Sequence, residues 1–213
     1  MAPRQSERTN GTTRKRLIDA AYELFGAHGV SQVGIDAILA KSGCAKASLY
    51  KHFDSKVALA IAFLDRRAAL WTRGWFEKEV NRRGNTPEGR LIAVFDVFDE
   101  WFQRKDFAGC PFINVMLESD AAGPLHRAAA SHLSDIRANL RALARDAGLA
   151  EPDRFARTWQ MLMKGSIVSA SEGNRNSAKE AKRAARLLLG GWQRVKHTSP
   201  RRSRRLGRQD PTY

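Results

Sequence analysis

The sequence lacks the features of a membrane-spanning or exported protein. Its 213 residues include only two cysteines, too few for a disulfide framework and typical of a reducing compartment. No apolar run approaches the roughly 20 residues needed to cross a bilayer. The polar N-terminus leads into a charged segment without the apolar stretch of a signal peptide. We therefore expect a cytoplasmic protein that has no membrane partner.

Patterns typical of catalysis and metal binding are also scarce. His126 and His132 are six residues apart and do not share a helix face, and no Cys, His or Asp cluster has zinc-site spacing. No glycine-rich phosphate-binding loop occurs. Cys110 with His126 is the only nucleophile and base to consider. We expect no enzyme, metal or cofactor, and the alternative is a thiol-dependent enzyme or a thiol redox sensor at Cys110.

Positive charge is in large excess. The chain has 37 Lys and Arg against 22 Asp and Glu, a net charge of +15, which indicates a polyanionic partner. Residues 192–213 contribute seven of these basic residues and one acidic residue, with scarcely any apolar side chain. Such a composition predicts disorder. A protein that coats DNA without sequence preference, driven by this tail, is a further alternative.

Apolar residues recur at helical spacing almost throughout, with no alternating strand pattern. The expected fold class is all-α, with a three-helix helix-turn-helix DNA-binding domain before a helical ligand-binding and dimerisation domain. Polar N-cap residues predict helix starts at Thr12 or Thr13, Asp54 or Ser55, Thr86 before Pro87, and Ser177 in a capping box with Glu180. The expected divisions are a flexible basic arm 1–11, the DNA-binding domain 12–56, the effector-binding and dimerisation domain 57–195, and a disordered basic tail 196–213.

Residues 34–53 have the pattern of a helix-turn-helix. Gly43 suits a tight turn between two short helices because it has no side chain to clash. Leu39, Leu49 and Phe53 fall on the inner side, which leaves the other face of the second short helix for solvent or DNA. That face offers small and polar side chains suited to the major groove and to phosphates, namely Lys46, Ala47, Ser48, Tyr50 and His52.

Residues 17–53, followed by Asp54-Ser55-Lys56, resemble the DNA-binding domain of the TetR family of bacterial regulators. The matching segments are Ile38-Leu39-Ala40, Ser42-Gly43, Ser48-Leu49-Tyr50, His52-Phe53 and Lys56. The resemblance implies that Lys46, Ala47, Ser48, Tyr50 and His52 lie near DNA and that Lys56 contacts a phosphate. Two positions depart from the family pattern. Gly34 and Ala45 stand where the family often has hydroxyl residues that cap the two helices. The implied function is a transcriptional regulator, by family default a repressor that a small effector releases from its operator.

The second half resembles the effector domains of this family more loosely. The stretch around Gly109-Cys110-Pro111 is similar to a segment found in a subset of them, and the resemblance implies a pocket within the helices after Thr86. Aromatic and methionine side chains give adaptable apolar walls. The candidates are Phe95, Phe98, Trp101, Phe102, Phe112, Met116 and Met163, and we expect a small, mainly apolar or aromatic effector.

The resemblance also implies a homodimer through the last two helices. These helices carry much apolar surface for the end of a chain, namely Trp159, Leu162, Ile167, Leu188, Leu189 and Trp192. A two-fold dimer contacts the two half-sites of a palindromic operator.

Cys110 precedes Pro111 at the start of a short helix, where the positive end of the helix dipole favours thiolate. One interpretation of that position is a redox role for Cys110. The competing interpretation, which we prefer, is a buried packing residue that does not react.

Overall fold

The computed structural model describes the backbone of residues 5–195 and the side chains of residues 12–195. Within this range the chain is helical with short loops, has no β-strand, and forms one isolated bridge between Leu149 and Arg194. The helices in chain order are α1 Gln5–His28, α2 Ile35–Ser42, α3 Lys46–His52, α4 Lys56–Arg67, a π-helix Ala68–Phe76, α5 Glu77–Arg83, α6 Pro87–Gln103, α7 Pro111–Glu118, α8 Pro124–Asp146, α9 Pro152–Ser171 and α10 Ser177–Gly191. The all-α fold class is confirmed. The predicted tail 196–213 lies outside the described residues.

The first helix begins earlier than the sequence predicted. α1 starts at Gln5 and continues through Thr12 and Thr13, so neither threonine is an N-cap, and residues 5–11 of the expected flexible arm are helical. The physical reason is the small size of helix-propensity differences. Threonine or asparagine inside a helix costs only about 0.7 kcal/mol or less, which does not outweigh a continuous hydrogen-bond ladder.

Helices α1 to α3 form an N-terminal unit around one apolar centre. Leu17, Ile38 and Leu49 are fully buried in it. Gly29 follows α1 with φ 82° and Gly43 follows α2 with φ 61°, a left-handed conformation that favours glycine. Both glycines end helices where the sequence predicted.

A long helical rod leaves this unit and enters the second half of the chain. Ser55 caps α4, because its hydroxyl accepts a hydrogen bond from the Ala58 amide at 3.1 Å, as predicted. Beyond α4 the backbone becomes π-helical through Phe76, where the sequence pattern predicted one regular helix. Within that segment Trp71 stacks on Phe76, five residues further on, with ring centroids 5.4 Å apart and planes 8° apart. The π-helical register brings residues five apart onto one side, and such segments are frequent at functional sites.

Helix α6 is the centre of the second half, with α5, α8, α9 and α10 packed around it. Thr86 accepts a hydrogen bond from the Gly89 amide at 3.0 Å, and Pro87 is the first helical residue, which confirms the predicted start. Among residues 5–195, none of the helices is both long and apolar enough to span a membrane.

The predicted capping box at the last helix is wrong. The N-cap of α10 is Asn176, and Ser177 is already helical. The Ser177 hydroxyl donates instead to the Ser166 carbonyl of α9 at 2.8 Å, and the carboxylate of Glu180 accepts from Asn174. The side chains of Ser177 and Glu180 therefore bond to the preceding helix and turn, and they do not form a capping box.

Candidate DNA-binding surface and effector cavity

The outer face of α3 carries the predicted DNA-contacting residues. Lys46, Ala47 and Tyr50 are exposed, with Tyr50 47% accessible. Ser48 and His52 are half-buried. The orientation follows from Leu49, which is fully buried against the other helices of the N-terminal unit and so turns its neighbours outward. The short helix contains two lysines and a histidine and no acidic residue, so the exposed face is basic.

The two helix starts that depart from the family pattern lack a side-chain cap. At Gly34, before α2, and at Ala45, before α3, no side chain accepts a hydrogen bond from the first turn. Neither residue has a side-chain oxygen that could do so. The first amides of α2 and α3 therefore have no side-chain partner at these positions.

Two arginines of α1 that the sequence analysis missed support α3. Arg16 donates to the carbonyl oxygens of Ser42 at 2.6 Å and Gly43 at 3.2 Å, which fixes the turn before α3. The Arg14 guanidinium lies 5.2 Å from the centre of the Phe53 ring, just after α3. The basic run of residues 14–16 could have indicated this role, but only the crossing of α1 over the turn pairs these arginines with it.

Lys56 lies at the junction between the N-terminal unit and the helices that follow it. Its ammonium donates a long hydrogen bond, 3.5 Å, to the Ser31 carbonyl. The Ser31 hydroxyl donates to the Glu118 carboxylate at the end of α7, at 2.8 Å. A cleft of about 370 Å³ separates these residues from Leu125 of α8. The junction thus connects the start of α4, the loop after α1 and the end of α7.

A small apolar space, which we call the inner chamber, lies between the π-helix and helices α6 to α9. Its volume is about 40 Å³. Four of the predicted pocket residues line it, namely Phe98, Trp101, Phe112 and Met163. The other three do not line it: Phe95 packs on Trp159 and Phe102 on Phe107, and Met116 lies further along α7. The π-helix adds Trp71, Thr72 and Phe76 to the wall, which the sequence analysis missed because it expected a regular helix.

A larger opening, which we call the outer cleft, adjoins the inner chamber. It has a volume of about 270 Å³ and lies between α8 and the π-helix with α5. Four residues border both spaces, namely Thr72, Phe76, Ile136 and Met163. Its polar wall includes Glu77, whose carboxylate accepts a hydrogen bond from the Asn139 amide at 2.9 Å. Burial raises the pKa of Glu77 above its usual value, although Arg73 and Asn139 oppose that effect.

Cys110 is the N-cap of α7, as predicted, and it is buried. Burial raises the pKa of its thiol, and this effect is larger than the opposing one of the Ile113 and Phe112 amides. Burial therefore disfavours the thiolate that the helix start alone would favour. His126 donates from Nδ1 to the Met116 carbonyl at 2.9 Å. Met116 is six residues after Cys110, which corresponds to about 9 Å along the helix. The proposed nucleophile and base are not brought together.

Among the described side chains, no three His, Cys, Asp or Glu residues are grouped as metal ligands.

Of the six apolar residues expected at a dimer interface, three are buried within the chain and three are half-buried, namely Leu162, Leu188 and Trp192. Trp159, Ile167 and Leu189 are buried within the chain, and the Trp192 indole donates to the Ala150 carbonyl at 2.7 Å. For the three buried residues, the expectation that they need a second subunit for burial is wrong, because other parts of the same chain already cover them. A different set on α9 and α10 faces solvent, namely Met161 at 70% exposure, Val168 at 46% and Leu187 at 80%.

Comparisons with known proteins agree with this architecture. Residues 17–63 match the family model of bacterial regulatory proteins of the tetR family, and residues 87–185 match that of the tetracyclin repressor-like C-terminal domain. A crystallised TetR-family transcriptional regulator from Streptomyces coelicolor superimposes with a TM-score of 0.73 at 26% identity, over 84% of this chain and 95% of that one.

Curated relatives match over shorter stretches. An uncharacterised HTH-type transcriptional regulator of Lactococcus lactis is 26% identical over 110 residues, 51% of this chain and 56% of the relative. The HTH-type transcriptional activator FasR of Mycolicibacterium smegmatis is 42% identical over 90 residues, 42% of this chain and 40% of the relative. The chain thus spans about half the length of these curated relatives. The two family models together match both halves of the fold in chain order, and the protein belongs to the TetR family of bacterial transcriptional regulators.

Proposed function

We propose that the protein is a cytoplasmic homodimer that represses transcription from a palindromic operator and leaves it when a small, mainly apolar or aromatic effector binds. The main support for this proposal is that α3 has one buried side and one exposed side. Leu49 anchors the helix inside the N-terminal unit, and its neighbours Lys46 and Tyr50 are exposed. A short basic helix held in this way fits the major groove, and a two-fold dimer presents two copies.

The residues of the footprint have separate roles in this proposal. Ala47 and Ser48 allow close approach to base edges, while Lys46, Tyr50 and His52 supply polar contacts. Lys56 contacts a phosphate. It can exchange its present partner for DNA at little cost, because its 3.5 Å hydrogen bond to the Ser31 carbonyl is weak.

Induction follows a route from the inner chamber to the N-terminal unit through α7. Phe112 and Ile113, at the start of α7, line the chamber. Glu118, at its end, accepts the hydrogen bond from Ser31. A ligand in the space beside the chamber that displaces the chamber wall, and with it the first turn of α7, therefore moves the contact with the N-terminal unit. The ligand must bind more tightly to the form of the dimer in which the spacing of the two N-terminal units prevents DNA binding. The required coupling free energy is about 1 to 3 kcal/mol.

Two alternatives predict different results. Activation is a second candidate because the relative FasR is named an activator. Transcription in vitro from a promoter that carries the operator should fall when the protein is added, and an increase would favour activation. A protein that coats DNA would lose its operator to bulk DNA at physiological salt, whereas a specific regulator keeps it.

Replacing Tyr50 with Ala tests whether the exposed face of α3 contacts the operator. We expect operator affinity to fall about tenfold, since one base-edge or phosphate contact contributes roughly 1 to 3 kcal/mol. The melting temperature should stay unchanged, because the side chain is exposed. A gel-shift titration measures the affinity, with an operator selected from random DNA by the wild-type protein. Unchanged affinity would remove Tyr50 from the footprint and with it the assignment of α3.

Lys56→Ala should weaken binding to all DNA sequences alike. Loss of one phosphate contact lowers the slope of log affinity against log salt by about 1. The control is Lys78→Ala, which removes an equal charge from an exposed position on α5. Titrations at several salt concentrations measure the slopes. Equal slopes for the two variants would show that Lys56 does not contact a phosphate.

A further inference from the structure

The inner chamber and the outer cleft meet at Thr72 of the π-helix. This residue is only 7% exposed, and its hydroxyl has no hydrogen-bond partner. Threonine hydroxyls inside helices can bond to a carbonyl oxygen of the preceding turn, which this hydroxyl does not do. A buried polar group without a partner is unfavourable. A molecule that bonds to this hydroxyl would remove that cost.

Aromatic rings form the wall on the inner side of Thr72. The centroids of Trp71 and Trp101 lie 4.6 Å apart, and Trp101 also packs on Phe98 at 5.6 Å. The inner chamber of about 40 Å³ holds little more than one water molecule. The outer cleft of about 270 Å³ approaches the roughly 300 Å³ of the smallest ligand sites. A ligand therefore lies in the outer cleft and directs its apolar end towards the rings.

The charged residues that line the outer cleft are acidic. Glu77 and Asp146 line the outer cleft, and no lysine or arginine is among the described residues that do. Arg73, the cation that acts on Glu77, lines a neighbouring cleft that Thr72 and Glu77 also border, and Lys164 lines the inner chamber. Burial raises the pKa of Glu77 despite Arg73, so its neighbours do not fully compensate the carboxylate.

We infer that the effector is a lipophilic amine, with an apolar or aromatic body against the rings and a protonated nitrogen that faces Glu77 and bonds to the Thr72 hydroxyl. This inference rests on the proposed function, because it assigns the chemistry of the effector site. Aromatic faces also attract cations, so the walls on both sides of Thr72 favour the same ligand. A carboxylate ligand would meet Glu77 and Asp146 as like charges.

The test compares three ligands that differ only in the end group: 3-phenylpropylamine, 3-phenylpropanol and 3-phenylpropanoate. Calorimetric titration of the full-length protein without DNA, up to about 10 mM for ligands of this size, measures each affinity. We expect the amine to bind at least about tenfold more tightly than the other two, since hydrogen bonds to charged groups are the stronger ones. An alcohol or carboxylate that binds as tightly as the amine, or no binding of any of the three, would overturn the inference.

Two variants assign the preference to residues. Glu77→Gln keeps an acceptor for Asn139 and should reduce the amine to the affinity of the alcohol, while Glu172→Gln, at an exposed position after α9, should leave the preference intact. Thr72→Val should weaken the amine and the alcohol alike, about fivefold, without lowering the melting temperature, because valine removes an unpaired hydroxyl. If Glu77→Gln prefers the amine over the alcohol as strongly as the wild type does, Glu77 is not the charge that selects the amine.

The binding test and the operator test fail separately. If Tyr50→Ala leaves operator affinity unchanged but the amine is preferred, the proposed DNA contact is wrong and the ligand assignment stands. If the operator tests give the expected results and the amine is not preferred, the proposed regulatory function is kept and the ligand assignment is wrong.

Discussion

Leu187→Glu is expected to split the proposed homodimer and remove high-affinity operator binding. Leu187 is the most exposed large apolar side chain described on α10, and Met161 and Val168 are exposed apolar side chains on α9. A carboxylate buried in such an interface has no partner and is strongly unfavourable. A monomer contacts a single half-site, so operator affinity should fall by at least about 100-fold. Analytical ultracentrifugation measures the mass, and a gel-shift titration measures the affinity.

Leu117→Glu is the matched control for the dimer test. Leu117 is 73% exposed on α7, so the same substitution changes a similar surface away from α9 and α10. This variant should remain dimeric. If both variants stay dimeric at micromolar concentration, the subunits meet through another surface and the role of α9 and α10 is wrong.

Leu49→Ala is expected to weaken operator binding strongly although the Leu49 side chain is buried and offers no surface to DNA. Its side chain is fully buried at the centre of the N-terminal unit. Truncation of a buried leucine to alanine lowers the free energy of unfolding by about 2 to 5 kcal/mol, a large share of the 5 to 15 kcal/mol that stabilises an ordinary domain. Urea denaturation should show the loss, and hydrogen exchange should place it in α1 to α3.

The adjacent Tyr50→Ala variant makes the Leu49 result specific. The two residues are neighbours on α3, one buried and one exposed, so a reduced stability belongs to Leu49 alone. If Leu49→Ala unfolds at the same urea concentration as the wild type, the packing of α3 described above is wrong.

Helix boundaries could be predicted from the sequence wherever local chemistry sets them. Ser55, Thr86 and the glycines after α1 and α2 lie where expected, because a cap or a left-handed turn depends on one or two residues. The prediction failed at Ser177, whose hydroxyl bonds to the carbonyl of Ser166 on α9. A bond to a different helix leaves no trace in the local sequence.

The proposed effector site shows the same contrast between what local sequence sets and what the tertiary structure sets. The aromatic residues of α6 could be chosen from composition, but the sequence could not separate Phe98, which lines the inner chamber, from Phe95, which packs against Trp159. That choice depends on which helix faces each ring. Thr72 and Glu77 were missed because the π-helix changes the direction of the side chains, and this register is stabilised by stacking between Trp71 and Phe76.

The sequence by itself determined the all-α class, the helix-turn-helix and its membership of the TetR family, because periodicity, caps and turn glycines act over a few residues. Only the tertiary structure decided the properties that depend on surroundings. Cys110 was expected at a helix start, but burial by other helices raises the pKa of its thiol. Trp159 was expected at the subunit interface, but α6 covers it, and Leu187 is exposed instead. Burial is a property of all the neighbours of a side chain in space, and those neighbours come from distant parts of the chain.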